Sequence, residues 1–201
     1  MNMVNTSDVK VIKRPTAQQI EDELIRIETG KELKKAVSGT IRNLIVIAAA
    51  AILVSNLLIS VMSVSRSSMS PTLKDGEVVI ALRWFGVKQG DIVAFHYNNK
   101  ILVKRVIAQA GDRVNIDENG LVYVNDVLLD EPYLDNAAKC LGECDIEMPY
   151  IVPEDSIFVM GDQREISADS RQKEIGAVKT DLVIGKVFLT IWPLSDIGLP
   201  K

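Results

Sequence analysis

The sequence predicts a mainly β fold, an antiparallel β-sheet domain preceded by a single transmembrane α-helix. Two patterns carry this expectation. One uncharged apolar run, 44–62, stands near the N-terminus. After it the chain breaks into short stretches rich in Val and Ile, each bounded by turn residues, the composition that suits a pleated sheet.

The apolar run contains only Ser55, Asn56 and Ser60 as polar members. Its 19 residues, 44 through 62, span roughly 28 Å as a helix, close to the hydrocarbon thickness of a bilayer. A buried core helix and the apolar core of a cleaved export signal are the alternatives. The second is disfavoured, because 43 residues precede the run and it is long for a signal core. Lys31, Lys34, Lys35 and Arg42 lie before it, against Arg66 and Lys74 after it. By the positive-inside rule the N-terminus is cytoplasmic and the remainder extracytoplasmic. The expected division is a cytoplasmic segment 1–42, a membrane helix 43–62 and an outer β domain 63–201. Residues 1–15 read as disordered. Residues 16–37 have helical character, with Ile20, Leu24, Ile27 and Leu33 near a 3.6-residue spacing and Gly30 as an interruption.

In the outer domain, 77–83, 91–97, 100–107, 112–116, 121–125, 156–160 and 182–192 are the strand candidates. Asn98-Asn99, Asn119-Gly120 and Asn125-Asp126 mark turns. The segment 135–148 is a polar loop insertion holding both cysteines, Cys140 and Cys144. Outside the cell they could form a disulfide, in a tight ring, or remain free thiols. Trp84-Phe85 suits either core packing or a membrane interface.

Composition excludes several functions. Net charge is -4 and pI about 5.1, so no basic surface points to nucleic acid. One histidine and two cysteines leave too few ligands for most zinc sites, and neither a metal nor a cofactor is expected. With His96 the sole histidine, a Ser-His-Asp triad is disfavoured.

Three clusters carry chemistry. Ser67-Ser68-Met69-Ser70-Pro71-Thr72-Leu73 follows the apolar run; its serines are solvated loop unless a base stands beside one of them. Lys104 sits within the apolar stretch 101–107. A free lysine is neutral in only about one molecule in 2,500 near pH 7, but burial disfavours the ammonium, and a lysine lowered to about 7–8 can act as a general base. The alternative is a lysine on the wet face of an edge strand. The third cluster, 160–171, is dense in charges and hydroxyls. It reads either as a charged surface loop or as a rigid wall fixing the lysine.

Together these clusters resemble type I signal peptidases, particularly the short single-span form of Gram-positive bacteria. The resemblance runs from about residue 60 to 193. Ser68-Met69-Ser70-Pro71-Thr72-Leu73 is similar to the family's nucleophile box, Gly90-Asp91-Ile92-Val93 to a structural box, Lys104-Arg105 with Gly111-Asp112 to the general-base box, and 161–171 to the last box. The resemblance implies a serine endopeptidase with Ser68 as nucleophile and Lys104 as base. It implies that Ser167 donates a hydrogen bond to Lys104, that Asp169 pairs with Arg171, and that Asp162 pairs with Arg164 near Arg105. The Ser68 N–H would be one oxyanion donor. Some relatives place a hydroxyl two residues before the nucleophile, where Arg66 stands here. Gln163 and Glu165-Ile166 also depart from the family's usual Asn and Asp-Asn.

The implied substrates are signal peptides of exported preproteins. They would bind as an added strand between the segment before Ser68 and the Lys104 strand. Small side chains at −1 and −3, as in Ala-x-Ala, would face pockets lined by Val64, Met69, Leu73 and Val103, residues that ordinary core packing also explains. The lipid bilayer is the second implied partner and the secretion translocon a further candidate. A non-enzymatic signal-peptide binder is disfavoured by the presence of both Ser68 and Lys104. A self-cleaving repressor-type Ser/Lys protease would need a DNA-binding head in place of the membrane span.

Overall fold

The computed structural model describes residues 16–65, 67–83, 86–134 and 142–200. Two compact units divide the chain, 1–53 and 54–201. The first is dominated by helix α1, which runs Ala17–Leu58 without a break. None of its residues is buried, and it is the one described helix long and apolar enough to cross a membrane. Gly30 does not interrupt it. One glycine weakens a helix by only about 1 kcal/mol, and the Glu, Lys, Arg and Leu residues on both sides of it are good helix formers. The N-terminal segment 1–15 lies outside the described residues, as do Trp84-Phe85, Arg66 and Cys140; Cys144 is half-buried.

The apolar run does not stay helical to its end. The helix stops at Leu58, and Ile59–Ser63 forms strand β1. The expected boundary at Met62 therefore moves back by four residues, 62 to 58. The physical reason is pairing. Residues 59–63 lie antiparallel to β2 (Val78–Leu82), with Val61 opposite Ile80, and a β-branched residue prefers that ladder to a helix.

The second unit is built on two antiparallel sheets. The larger has seven strands in the order β1-β2-β11-β3-β4-β9-β10. Beyond β1 and β2 its members are β3 (Ile92–Tyr97), β4 (Lys100–Gln109), β9 (Ser156–Met160), β10 (Val178–Lys179) and β11 (Val183–Trp192). The smaller sheet runs β7-β6-β5-β8, from β5 (Arg113–Ile116), β6 (Val122–Val124), β7 (Val127–Leu128) and β8 (Tyr150–Ile151). All seven sequence-predicted strands form. The turns follow their chemistry: Asn98 and Asn99 hold φ of 42° and 62°, and Asn125 and Asp126 hold 53° and 68°, the left-handed pair that a two-residue hairpin requires.

One feature of the register positions the site. β4 pairs with β3 from Lys100 to Arg105, but with β9 only from Arg105 onward. The second edge of residues 100–104 is left without a strand partner in the described ladder. One cluster of the core, Val64, Met69, Leu73, Val79, Ala81, Ile92 and Val187, packs with Val103 beside that free edge. Leu102, on the opposite face of β4, packs with Val93, Phe95 and Val106.

Candidate active site

Ser68 stands in a tight turn closed by Ser70 N–H donating to Ser67 O at 2.9 Å. The next turn, Leu73 N–H to Met69 O at 2.8 Å, puts Met69 and Leu73 into the core, where they are 1% and 0% exposed. The two buried side chains anchor the loop and leave Ser68 half-buried at its rim. Lys104 projects from β4, whose backbone is fixed at that point by pairing with Val93. Its Nζ lies 2.7 Å from Ser68 Oγ.

The environment of that amine is dry. Lys104 is 2% exposed, so the reading as a solvated edge lysine is excluded. Burial lowers its pKa from 10.5 to about 8, with Asp169 opposing the shift, Arg171 adding to it and Asp162 opposing it. Desolvation dominates because the surrounding charges cancel. Arg105, Arg164 and Arg171 are each paired with an acid, and all six groups are at most 5% exposed. His96, the only histidine, is exposed on β3 and takes no part.

The last box folds back on itself. Asp169 accepts Arg171 Nε and Nη2, both at 2.9 Å, and Gly161 N–H at 2.9 Å. Burial pushes the Asp169 carboxyl up, but these bonds hold it below its ordinary value. Arg171 Nη2 also donates to Arg164 O at 2.8 Å. Asp162 does not pair with Arg164, as the resemblance had implied. It takes Arg105 in a two-pronged bond, Nε at 2.9 Å and Nη2 at 2.7 Å, and accepts Thr72 Oγ1 at 2.5 Å. Arg164 turns the other way, to Glu131. The cause is the turn at 162–164, closed by Arg164 N–H to Asp162 O at 3.1 Å, which sends the two side chains apart.

Three residues to which sequence reasoning gave no part in this lattice belong to it. Thr72 ties the Ser68 loop to Asp162. Glu131, 3% exposed, accepts Arg164 and also Tyr133 Oη at 2.9 Å. The Tyr133 ring lies 3.8 Å under the Arg105 guanidinium, a cation–π contact, and burial with Glu131 beside it pushes its phenol well above the ordinary value. Thr72 was legible as part of the nucleophile box. Glu131 pairs with Arg164 across 33 residues of sequence, Tyr133 stacks on Arg105, and no local pattern announces either.

Ser167 is 3% exposed, and its Oγ makes no hydrogen bond at normal geometry. It sits close enough to Asp169 to help hold that carboxyl low, but the expected bond to Lys104 is not formed; the amine is turned to Ser68. Gly161 explains how closely this wall packs. A Cβ there would collide with Ser167 Oγ and stand 2.5 Å from Ser68 O. For the peptidase activity that the resemblance implies, Gly161→Ala is expected to reduce cleavage at least about a hundredfold, since displacement of reacting atoms by about 1 Å has that effect. Single-turnover rates on a precursor peptide measure it, and a near-wild-type rate would show that the wall yields freely.

A cleft of about 130 Å³ opens over the pair, lined in part by Val64, Met69, Val103, Ser68 and Lys104. Leu73 lies beneath it rather than on its surface. Among the described residues, no group of three or more His, Cys, Asp or Glu is placed to hold a metal.

A family model described as "Signal peptidase, peptidase S26" matches residues 37–192. Signal peptidase IB of Staphylococcus aureus (strain Mu50) is 35% identical over 162 residues, covering 72% of this chain and 83% of that protein. The chain belongs to the signal peptidase, peptidase S26, family. A further relative, Signal peptidase I U of Bacillus subtilis (strain 168), is 31% identical over 187 residues, covering 86% of this chain and 97% of its own length. A crystal structure of a signal peptidase I from Enterococcus faecalis V583 is similar over 51% of this chain and 97% of that one, at 30% identity and a TM-score of 0.44. The protein is thus a serine endopeptidase of the signal peptidase I kind, and α1 suits it to a single membrane anchor.

Proposed function

We propose that this peptidase removes signal peptides from exported preproteins with a Ser68/Lys104 dyad, cleaving after small residues at −1 and −3. The observation that carries the reading is a dry lysine, lowered to about 8, with Nζ 2.7 Å from Ser68 Oγ. The precursor adds as a strand to the free edge of β4 at 100–104, where backbone bonding supplies affinity. Side chains at −1 and −3 then share one face, toward Val64, Met69 and Val103. A floor of well-packed core residues leaves room only for small groups.

Neutral Lys104 takes the Ser68 proton as Oγ attacks the scissile carbonyl. The Ser68 N–H donates to the developing oxyanion. The ammonium returns its proton to the leaving amine, and an acyl-enzyme on Ser68 remains. Lys104, neutral again, draws a proton from water, which hydrolyses the ester. Asp169–Arg171 and Arg105–Asp162 hold the wall and the nucleophile loop in register while Lys104 changes charge. The basic residues before the span favour a cytoplasmic N-terminus and an extracytoplasmic dyad, where signal-peptide cleavage sites emerge. Docking on the secretion translocon is a further part of the proposal.

The test is the pH dependence of kcat/KM on a precursor peptide with Ala at −1 and −3. The base must be neutral, so the rate climbs about tenfold per unit below the Lys104 pKa and levels above about 8. Ser68→Ala should yield no product at any pH. A flat profile from pH 6 to 10 with chemistry rate-limiting, or residual cleavage by Ser68→Ala, would remove the dyad.

A further inference from the structure

The cleft has a second wall that the small-residue rule does not use. Ile101 and Val103 share one face of β4, and Leu102 and Lys104 share the other, because successive side chains of a strand alternate. Val103 packs with Val64, Met69 and Leu73, so its face is the one that meets −1 and −3. A strand added alongside β4 turns its −2 side chain to the Leu102/Lys104 face. That side is closed by the loop carrying Asp162, Asp169 and Arg171, all of which act on the Lys104 charge. From this loop Ile166 and Ala168 line the cleft with Ser68 and Lys104.

Ile166 is a large apolar side chain left 60% exposed at the mouth of a cleft only about 130 Å³ in size. Its backbone is anchored. Ile166 N–H donates to Gln163 O at 3.3 Å, and Gln163 N–H donates to Ser68 O at 3.1 Å, while its neighbour Ser167 is buried. The backbone is therefore fixed beside Ser68 while more than half of the Ile166 side chain stays exposed.

We propose that Ile166 is a specificity-determining residue, an apolar contact for the substrate side chain at −2 that favours clients with an aliphatic residue there. The proposal rests on the signal-peptide reading given above. A bound precursor with Leu at −2 covers the exposed Ile166 surface and removes its own apolar surface from water. Ser at −2 covers less, and Asp at −2 would lose hydration against an apolar wall.

Three peptides with Ala at −1 and −3, and Leu, Ser or Asp at −2, separate the possibilities. They are cleaved by full-length wild type, Ile166→Leu and Ile166→Asn in detergent micelles, and kcat/KM is compared within each protein. Wild type and Ile166→Leu are expected to prefer Leu over Ser by about fivefold, and over Asp by more, below the full-pocket range because the contact is one-sided. Ile166→Asn should bring the Leu/Ser ratio close to one. Equal ratios in all three proteins, or no preference in wild type, overturn the role of Ile166 while leaving signal-peptide cleavage intact. Failure of wild type to cleave any of the three peptides overturns the signal-peptide reading itself, and this proposal with it.

Discussion

Lys104→Met should give a folded protein that is more stable than wild type at pH 7 and, on the proposed dyad, at least about a thousandfold slower in cleavage, as expected for loss of a general base that also activates the nucleophile. The stability gain follows from the same burial that lowers the amine. Folding lowers the amine from 10.5 to about 8. Below about pH 8 the group is charged in both states, and the folded protein carries the whole desolvation cost, about 3 kcal/mol for a shift of this size. Between 8 and 10.5 the folded protein has released the proton while the unfolded chain still holds it, so wild-type stability rises with pH. Above 10.5 both states are neutral and the cost is gone. Met fills similar volume without a charge. The difference in urea midpoint between wild type and Lys104→Met should therefore be largest at pH 7 and shrink from pH 8 to 10.5. A variant that is less stable at pH 7, or that still cleaves, would mean that this amine is neither strained by burial nor the base.

Glu131→Ala is expected to destabilise the β domain by about 3–5 kcal/mol, because it strands Arg164 as an uncompensated buried charge. Arg164 and Glu131 side chains are 0% and 2% exposed, so water cannot easily replace the lost partner. Replacing both, as Glu131→Leu with Arg164→Leu, should recover most of that loss, since the penalty comes from the unpaired charge rather than from absence of the pair. Urea midpoints of Glu131→Leu, Arg164→Leu and the double variant give the coupling. Additive losses would show that the two residues do not act as a pair. Activity need not follow stability in the double variant, because Arg164 Nε also donates to Gly161 O at 3.1 Å, and Gly161 lines the wall beside Ser68.

The strands were legible because each needs only its own residues to declare it. Val- and Ile-rich stretches between Asn and Gly turns reappear as β2–β6, β9 and β11, with ends displaced by a residue or two. β7, β8 and β10, each of two residues, fall below the length at which a period can be read. β1 was hidden for another reason. Ile59 to Met62 continue an apolar run, and hydrophobicity alone does not distinguish the end of a membrane helix from an edge strand.

The site divides along the same line. Ser68 and Lys104 were visible through local motifs. Ion pairing was not, because a charge seeks whichever partner the fold brings within reach. Asp162 and Arg164, two apart in the chain, bond to Arg105 and Glu131, 57 and 33 residues away. Tyr133 reaches the site by lying against Arg105 and by donating to Glu131.

By itself the sequence determined the anchor-like helix and the antiparallel β domain and singled out Ser68 and Lys104 as candidates, since these depend on local period, composition and motif. Tertiary structure alone decided where the helix yields to β1, which acid neutralises which arginine, and how far the Lys104 amine gives up its proton. Those outcomes depend on distance and dielectric between groups far apart in the chain, and such quantities come into being only when the chain has folded.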